Sequence, residues 1–473
     1  MSLCWFRTDL RIADNHALHH ASQRGQVIAV YIATPGVWRT HDDAPIKVDF
    51  WRRNLQALSA SLGELNIPLL LLEADDWSQC PQVLLDCASR LSADALYFND
   101  EYGLHEQARD ADVCAAWHAQ QRHCHRFTDQ LLFTPGSLKT QAGSMFKVYS
   151  QFRRRAYESL HRRVPERLPA PSKQASPLVD SDAIPDSFSG YPAAPAAQQA
   201  FWPAGELAAQ ERLALFTDEL LEDYEQYRDR PDLDGTSRLS AYLTAGVLSP
   251  RQCLHAALQL NGGEFDSGNP GAVSWINELL WREFYKHILV CYPRVSRHQA
   301  FRPDTEAVAW RHDPEGLRAW QQGETGIPIV DAAMQQLLHT GWMHNRLRMI
   351  SAMFLSKNLL IDWREGERWF MQHLIDGDLA ANNGGWQWSA STGTDSAPYF
   401  RVFNPVSQSQ KCDPDGSFIR SWLPALANLS AREIHVPPTT DLLNKLDYPA
   451  PIVDLKSSRQ RAIEAFRGLG EKP

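Results

Sequence analysis

Hydroxyl, glycine and arginine residues are concentrated just ahead of a short helix-like segment in the middle of the chain. They lie in the stretch Asp234-Gly235-Thr236-Ser237-Arg238-Leu239-Ser240, and the helical pattern that follows runs over residues 241–246. Hydroxyls and exposed backbone N–H groups at the start of a helix favour an anion such as a pyrophosphate. An ordinary helix N-cap has similar residues, so this stretch alone leaves both interpretations open.

Aromatic, acidic and basic side chains recur at helical spacing around Trp275. One broad face of the expected helix carries Trp275, Glu278, Trp281, Arg282 and Tyr285. The other face is apolar enough to lie in a core and carries Ile276, Leu279, Leu280, Phe284 and Ile288. The first face therefore indicates either the lining of a cleft or an internal ion pair. Glu278 and Arg282, at positions i and i+4, also fit a simple salt bridge along the helix.

Two later segments have the composition of a ligand-binding wall. Asn345 and Met349 are one helical turn apart, with Arg348 beside them. Residues 376–388 hold two Asp, two Asn, three Gly and two Trp, and they show no helical or strand period. A polar segment without a period makes a poor core, so we expect it to contact a ligand.

The elements that position these residues fall into two kinds. Up to about residue 130, apolar runs alternate with helix-like segments, which predicts an α/β domain with a parallel sheet. The expected strands are Leu3–Phe6, Val27–Ile32, Pro68–Leu72 and Ala95–Asn99, and the expected helices are Ile46–Leu65, Pro81–Leu91 and Leu104–Gln121. Residues 131–204, which include a proline-rich stretch, are interpreted as an interdomain linker. Residues 205–473 have helical periodicity and predict an all-α domain, whose clearest helix ends at Gly341.

The composition of the chain, and the motifs that it lacks, argue against several classes of protein function. The 473 residues carry a formal net charge of −9, which argues against a uniformly basic coat but leaves local DNA contacts open. No GxGxxG or phosphate-loop motif accompanies the α/β pattern. Arg7, Asp9 and Arg11 interrupt the start of the chain, and no apolar run approaches about 18 residues, so we expect a cytoplasmic protein without a membrane span. The eight cysteines form no CxxC pair, which predicts reduced thiols and no metal site.

Several motifs, in order along nearly the whole chain, resemble those of the photolyase/cryptochrome family. The N-terminal signature is Trp5-Phe6-Arg7-Thr8-Asp9-Leu10-Arg11-Ile12-Ala13-Asp14-Asn15, and the match is densest in Gly235–Ser240, Trp275–Tyr285, Gly326–Met349 and Asp362–Phe403. Within that family the sequence is most similar to bacterial class I cyclobutane pyrimidine dimer photolyases of the folate-antenna type. The resemblance implies a Rossmann-like antenna domain over residues 1–130 and a helical domain over residues 205–473 that binds FAD and DNA.

The resemblance also implies which residues bind FAD. Those matched to the ribityl chain and phosphates are Tyr224, Thr236, Ser237, Leu239 and Ser240. Those matched to the adenine and isoalloxazine are Trp275, Asn345, Arg348, Asp376, Asp378 and Asn382. Arg348 and Asp376 would pair, since two buried charges compensate each other. The amide oxygen of Asn382 would accept the N5 hydrogen of a reduced flavin and so tune the cofactor.

A further set of positions matches the family's substrate pocket and its electron-transfer chain. The pocket walls are Glu278, Trp281, Arg282, Asn345, Arg346, Met349 and Trp388. A dimer flipped out of the duplex would stack on Trp281 and Trp388, and Glu278 would hydrogen-bond a thymine edge and stabilise the charge that arrives there. Trp310, Trp363 and Trp386 match the tryptophans that carry an electron inward from the surface.

The resemblance implies 5,10-methenyltetrahydrofolate as an antenna, with two departures from the family pattern. His41 and Glu106 fit the contact positions, and a carboxylate suits the donor-rich edge of a pterin. His105, however, stands where close relatives have Asn, and Ser296-Arg297 stands where they have a Cys-Lys pair. Arg297 keeps the positive charge and can still meet a folate carboxylate. A lost or weakly filled antenna site is the alternative.

The function implied is light-driven repair of cyclobutane pyrimidine dimers by a carbon–carbon lyase. Excited reduced FAD would give an electron to the flipped dimer and then recover it, so Glu278, Asn382 and the three tryptophans are the expected catalytic residues. The expected partner is dimer-containing DNA, and the expected state is a monomer. A cryptochrome-type blue-light photosensor is the alternative, against which Asn382 counts. A dark flavin oxidoreductase is disfavoured because no nicotinamide fingerprint occurs.

Overall fold

The computed structural model describes residues 1–438, 446–467 and 469. Contacts divide the chain into two compact units. Unit 1 contains Met1–Glu222, Ser237–Pro293 and Ile375–Asp378; unit 2 contains Asp223–Thr236, Arg294–Leu374 and Leu379–Pro473. The boundaries at residues 130 and 204 stay a prediction. Among the described residues, no helix is long and apolar enough to cross a membrane.

A five-stranded parallel sheet forms the centre of the N-terminal region, in the order β3-β2-β1-β4-β5. Its strands are β1 (Ser2–Phe6), β2 (Val27–Ala33), β3 (Leu69–Glu73), β4 (Ala95–Asn99) and β5 (His123–Phe127). The first four confirm the predicted apolar runs, because strands covered on both faces need apolar side chains at every position. The edge strand β5, His-Cys-His-Arg-Phe, was not predicted, since its polar residues hide the pattern. The α/β fold class is confirmed.

Helices accompany these strands and continue through unit 1. They are α1 (His16–Arg24), α2 (Pro35–Thr40), α3 (Pro45–Glu64), α4 (Cys80–Leu91), α5 (Leu104–Ala119), α6 (Tyr149–Arg162), α7 (Ala196–Phe201), α8 (Glu206–Leu215), α10 (Ser240–Thr244), α11 (Pro250–Leu260) and α12 (Pro270–Cys291), with α9 (Tyr224–Tyr227) lying in unit 2. The three predicted N-terminal helices agree with α3, α4 and α5 to within two residues at each end. Helices α6 and α7 fall inside the predicted linker.

The N-terminal signature builds a buried ionic network in unit 1. Arg11 pairs with Asp129 at 2.6 Å, and Arg251 pairs with both Asp14 and Asp129 at 2.9 Å. Although burial raises the pKa of the Asp129 carboxyl, the Arg11 and Arg251 guanidinium groups lower it to about 2. These residues therefore hold their charges by mutual compensation, and they join the end of β1 to the start of α1 and α11.

Unit 2 is helical around one apolar core. Its further helices are α13 (Pro293–Ser296), which begins at the last residue of unit 1, α14 (Pro314–Gln322), α15 (Pro328–Thr340), α16 (Asn345–Met353), α17 (Trp363–Met371), α18 (Leu379–Ala390), α19 (Pro405–Cys412), α20 (Ser417–Trp422) and α21 (Leu455–Phe466). Helix α15 ends where predicted, at Gly341, whose φ of 70° suits a helix cap. The expectation that residues 376–388 make a poor core was wrong for much of α18, which buries Asn382, Trp386 and Gln387. That helix is buried on most sides, so its sequence shows no amphipathic period.

The prediction that all eight cysteines are reduced was also wrong. Cys114 of α5 and Cys124 of β5 are paired in a disulfide, with their Cα atoms 5.5 Å apart. A helix packed beside a strand brings these positions together although they lie ten residues apart, which a search for CxxC spacing misses. The other six cysteines are free.

Candidate functional site

In unit 1, helix α12 divides into the two predicted faces. Its apolar face is buried throughout, as predicted, whereas Glu278, Trp281, Arg282 and Tyr285 are all partly exposed. Trp275 differs from the other members of its face, because it is buried and packs against Phe216 with ring centroids 4.9 Å apart. The polar face of α12 therefore begins at Glu278 and continues toward the end of the helix.

Trp281 lies in a stacked aromatic pair. Its ring is parallel to that of Tyr149, at a centroid distance of 3.6 Å and an interplanar angle of 11°. The Tyr149 hydroxyl donates a hydrogen bond to the carbonyl of Asn277 at 2.7 Å, which fixes the tyrosine against the same helix. Sequence reasoning missed Tyr149, since nothing in the pattern of α6 indicates that it covers Trp281. The pair forms a rigid, flat surface suited to stacking.

Arg282 and Glu283 connect α12 to the segment that follows β5. The Arg282 guanidinium donates to the carbonyl of Gln130 at 2.6 Å, and Glu283 accepts from the backbone N–H groups of Leu132 and Phe133. Burial raises the pKa of the Glu283 carboxyl to about 7, although those two N–H groups and nearby arginines lower it. Glu283 was not predicted as a site residue, and its role is to hold this segment.

The predicted phosphate-binding stretch is divided between the two units, with Thr236 in unit 2 and residues 237–240 in unit 1. In unit 1 the carbonyl of Ser237 accepts from the Arg212 guanidinium at 2.8 Å, Leu239 is buried, and Ser240 opens the five-residue helix α10. In unit 2, Tyr224 is buried under the Arg228 guanidinium, 5.4 Å from the tyrosine ring centroid, and Thr236 is partly exposed. A Cβ added to Gly235 would lie 2.9 Å from the Cβ of Tyr227, so this close approach requires glycine.

The two predicted acids of unit 1 differ in their surroundings. Asp378 forms an ion pair with Lys286 of α12, a residue that sequence reasoning did not select. Asp376 is buried, and its carbonyl lies 3.5 Å from the Thr244 hydroxyl, which donates to it. The predicted pairing of Asp376 with Arg348 stays a prediction. In unit 2 the Arg348 guanidinium donates to the carbonyl of Met343 at 2.8 Å.

In unit 2, the amide of Asn382 is held in one orientation. Its nitrogen Nδ2 donates to the carbonyl of Glu367 at 2.9 Å, which leaves the oxygen Oδ1 as the acceptor on the opposite side of the amide. The buried Glu367 carboxylate in turn accepts from Asn383 at 2.8 Å and lies 3.0 Å from the His298 ring nitrogen. Glu367 was not predicted, and it fixes the end of the amide that faces away from the acceptor.

The start of α16 carries the other predicted pocket residues of unit 2. Asn345 is exposed, and its Nδ2 lies 4.0 Å from the sulfur of Met349, as the predicted one-turn spacing requires. Arg346 pairs with Asp229, its Nε donating at 3.1 Å. His344 is the N-cap of this helix, and burial lowers its pKa to about 4, so the imidazole is neutral at physiological pH. Trp388, at the end of α18, is partly exposed.

The three predicted electron-transfer tryptophans lie in or against one apolar cluster of unit 2. Trp363 and Trp386 are buried within it, and the partly buried Trp310 packs against it. A Cβ added to Gly366 would lie 2.0 Å from the indole of Trp386, so Gly366 allows that indole to contact α17 one turn after Trp363. Burial thus increases from Trp310 to the two inner tryptophans.

Three of the four predicted antenna residues lie in unit 1. His41 and His105 are stacked at a centroid distance of 5.5 Å, and His41 also contacts Trp77 edge-on at 4.9 Å. Glu106 folds back over Gly103 at the start of α5, where an added Cβ would lie 2.0 Å from its carboxylate oxygen. Burial and then Glu101 raise the pKa of the Glu106 carboxyl to about 7. The fourth residue, Arg297, is exposed in unit 2.

The residues present fit a flavin adenine dinucleotide. Hydroxyls and backbone N–H groups over residues 236–240 are the donors that a pyrophosphate needs, and buried carboxylates suit the hydroxyls of a sugar. The orientation of Asn382 is the more specific observation, because its amide nitrogen is already bonded to Glu367 and its oxygen is left as an acceptor of the kind that the N5 hydrogen of a reduced flavin needs.

Comparison with known proteins agrees with this chemistry. A family model described as DNA photolyase matches residues 2–172, and one described as the FAD binding domain of DNA photolyase matches residues 275–468. The curated deoxyribodipyrimidine photo-lyases of Salmonella typhimurium and Escherichia coli are 46% and 45% identical to the chain, each over 98% of both sequences. The chain belongs to the DNA photolyase family. Its FAD-binding part is the helical region that begins in α12.

Solved photolyase-family structures share the architecture. A bacterial class III photolyase from Agrobacterium tumefaciens superposes with a TM-score of 0.89 at 34% identity, covering 100% of this chain and 98% of that one. A cryptochrome from Synechocystis gives a TM-score of 0.84 at 28% identity, covering 98% of this chain and 99% of that one. The fold is therefore common to photolyases and to a cryptochrome, and the residues of the site must separate the two functions.

Proposed function

We propose that this protein is a deoxyribodipyrimidine photo-lyase, which splits cyclobutane pyrimidine dimers in DNA by a light-driven electron transfer. The observation that carries the proposal is near-full-length identity of 46% and 45% to two curated photo-lyases of that name. Two local features support it: the stacked pair of Trp281 and Tyr149, and the fixed amide of Asn382. The reaction breaks two carbon–carbon bonds and returns the electron, so it involves no net oxidation.

The substrate residues are proposed as follows. A dimer inside a duplex is covered by its neighbours, so it must be extruded, and a damaged base pair is the cheapest to open. In unit 1, the flat surface of Trp281, backed by Tyr149, is proposed to stack on a pyrimidine ring. In unit 2, Trp388 is proposed to supply an aromatic face. Glu278 hydrogen-bonds a pyrimidine edge. The remaining contacts come from Arg282, Asn345, Arg346 and Met349.

The FAD-binding residues are proposed for each unit separately. Unit 1 contributes Ser237, Leu239, Ser240, Trp275, Asp376 and Asp378, and unit 2 contributes Tyr224, Thr236, Asn345, Arg348 and Asn382. Bound FAD supplies the absorption of blue light and the electron for bond cleavage. Asn382 would offer its amide oxygen to the N5 hydrogen, because its nitrogen is bonded to the Glu367 carbonyl. Lys286 holds Asp378 in place.

Trp310, Trp363 and Trp386 are proposed to pass an electron inward from the surface of unit 2. Trp363→Phe tests this role, because phenylalanine fills the core but is far harder to oxidise. We expect light-driven reduction of oxidised FAD to be nearly abolished, while chemically pre-reduced enzyme still repairs dimers. Loss of repair in the pre-reduced variant would show that Trp363 acts elsewhere in the mechanism.

In unit 1, a folate antenna is proposed at His41, His105 and Glu106. In unit 2, Arg297 is proposed as a residue that binds folate carboxylates. The stacked imidazoles offer a flat surface, and the Glu106 carboxyl suits the donors of a pterin. We expect added 5,10-methenyltetrahydrofolate to give a near-ultraviolet absorbance band that Glu106→Ala removes, with flavin-only repair retained. His105→Asn, which restores the residue of close relatives, is the matched control and should keep the band. If reconstitution adds no band to the unaltered protein, the site has lost its antenna.

The function itself is tested with an oligonucleotide that contains one thymine dimer. We expect the purified FAD-containing protein to restore the two thymines under blue light and not in the dark. Light-dependent changes in the flavin with no repaired thymine would instead favour a cryptochrome-type photosensor. The sequence-based expectation of a cytoplasmic monomer stays a prediction.

A further inference from the structure

A lysine side chain is fully buried beside the outer end of the tryptophan series. Lys357 lies in the π-helical turn Phe354–Leu359 that follows α16, and its side chain is 0% exposed. Within the described part of the chain, its Nζ has no hydrogen-bond partner. A buried ammonium without an acceptor is costly, and lysine in such surroundings readily changes its protonation state. Nothing in the proposed repair reaction uses this amine.

The amine contacts an aromatic cluster that includes Trp310. Nζ lies 3.7 Å from the ring centroid of Phe466, and Phe466 meets Trp310 edge-on at 5.9 Å between centroids. These two distances place the amine no more than about 10 Å from the centroid of the Trp310 indole. Tyr399 stacks on the same phenylalanine at 6.4 Å. Phe466 contacts both groups and the amine is fully buried, so the charge of the amine is screened less than it would be in water.

The other charged groups around Lys357 are mostly basic. Arg302 is the charge that acts on it most, and its own carboxylate partner is Asp304. On α21, which carries Phe466, Arg461 donates to the carbonyl of Asn358 at 2.6 Å. Tyr399 is the titratable group that stacks on Phe466. Protonation of Lys357 therefore adds charge to a region that is already positive.

We propose that the protonation state of Lys357 sets how readily Trp310 gives up an electron. The inference rests on the proposed electron-transfer role of Trp310. When Trp310 passes one electron to oxidised Trp363, it becomes a cation, and a positive ammonium nearby raises the free energy of that state. A neutral amine does not. No bond is made or broken, and a thiol reductant in solution later returns the electron to Trp310.

The sign of the pH dependence follows from the surroundings of the amine. Burial, and after it Arg302, lowers the pKa of Lys357 to about 7. Below that pH the amine is charged and oxidation of Trp310 is hindered; above it the amine is neutral and oxidation is easier. The yield of long-lived oxidised tryptophan after a light flash should therefore rise about threefold to tenfold between pH 6 and pH 8.5.

Flash spectroscopy of the FAD-containing protein tests the proposal, with the yield of oxidised tryptophan as the readout and no external reductant. We expect Lys357→Met and Lys357→Gln to give a flat pH profile at the high level. Lys357→Arg, which stays charged, should give a flat profile at the low level. Lys456→Met, an exposed lysine on α21, should keep the wild-type profile. The NMR chemical shift of the Lys357 ¹³Cε atom, followed against pH, gives the pKa of this amine without light.

Two outcomes distinguish a failure of the Lys357 proposal from a failure of the proposed tryptophan series. If Trp363→Phe leaves the flash signal intact, the tryptophan series itself is wrongly assigned. If Trp363→Phe abolishes the signal but both neutral variants keep the wild-type pH profile, Lys357 has no influence and the inference is overturned. A measured Lys357 pKa above about 9 would overturn it as well, because the amine would then stay charged across the tested range.

Discussion

The indole of Trp281 is the side chain on which the proposed recognition of DNA damage depends most. One of its faces is covered by Tyr149, which holds the partly exposed indole in a fixed orientation. Fixing an aromatic ring in advance lowers the entropy lost when a base stacks on it. The same argument applies to Asn382, whose amide is oriented by Glu367 before any ligand arrives.

Trp281→Ala is therefore expected to weaken binding of dimer-containing DNA by about tenfold to hundredfold, since one base–aromatic stack contributes about 1–3 kcal/mol. Tyr149→Phe keeps the ring and loses only the hydroxyl bonded to Asn277, so it should change affinity by less than about threefold. Fluorescence anisotropy with a labelled single-dimer duplex measures both. Equal affinities for Trp281→Ala and the unaltered protein would remove Trp281 from the pocket.

The contribution of Glu283 to the free energy of unfolding depends on pH. Burial raises its pKa to about 7 in the folded protein, whereas an unfolded glutamate titrates near 4.3. Between these values the folded state binds more protons, so the contribution of Glu283 to stability falls as pH rises and is lowest above pH 7.

We expect the stability of Glu283→Gln, relative to the unaltered protein, to improve by up to about 3 kcal/mol between pH 4.5 and pH 7.5. Urea unfolding at both pH values measures this difference. Glu166→Gln, at an exposed position in an ion pair with Arg163, should show no such change. A pH-independent difference for Glu283→Gln would mean that the Glu283 carboxyl titrates normally.

Among the elements, α17 and α18 determine where the inner tryptophan lies. The indole of Trp386 packs directly over Gly366 of α17, with no room for a methyl group. Gly385, the residue that precedes Trp386 on α18, has open space where a Cβ would be added. The two glycines therefore offer opposite tests of one helix contact.

Gly366→Ala should lower the melting temperature, at a cost of about 1–3 kcal/mol, and slow photoreduction, because Trp386 must move. Gly385→Ala should be neutral or raise stability by up to about 1 kcal/mol, since alanine favours a helix and meets no neighbour. Calorimetry on both variants checks the pair. If Gly366→Ala melts like the unaltered protein, Trp386 does not pack as described.

The strands and helices differ in how well the sequence pattern predicts them. The strands β1 to β4 are apolar at nearly every position, with Ser2, Glu73 and Asn99 as the polar exceptions, so these continuous apolar runs indicate a covered parallel sheet. Edge strand β5 and the buried helix α18 lack such a pattern. Tyr149, Glu283 and Glu367 act through partners far away in sequence, and no local spacing points to them. Family motifs predicted which residues face the ligands, while the residues that hold them in place became visible only in the structure.

At the scale of the whole molecule, the acidic net charge and the proposed DNA partner are compatible. The formal charge is −9, so attraction to phosphate must come from local groups such as Arg282 and Arg346. We expect affinity for single-dimer DNA to fall with salt, and to exceed affinity for undamaged DNA at every salt concentration. Titrations at several ionic strengths check both slopes. Equal affinity for the two DNAs would argue against a lesion pocket.

The central claim is that the reaction is a redox-neutral lysis driven by light. The most direct test is the number of dimers repaired per flavin when pre-reduced enzyme is illuminated in the absence of oxygen and of any external reductant. Because the electron returns after each cycle, we predict many dimers repaired per FAD, with the flavin still fully reduced at the end. A yield limited to one dimer per FAD, with oxidised flavin accumulating in step, would contradict the account.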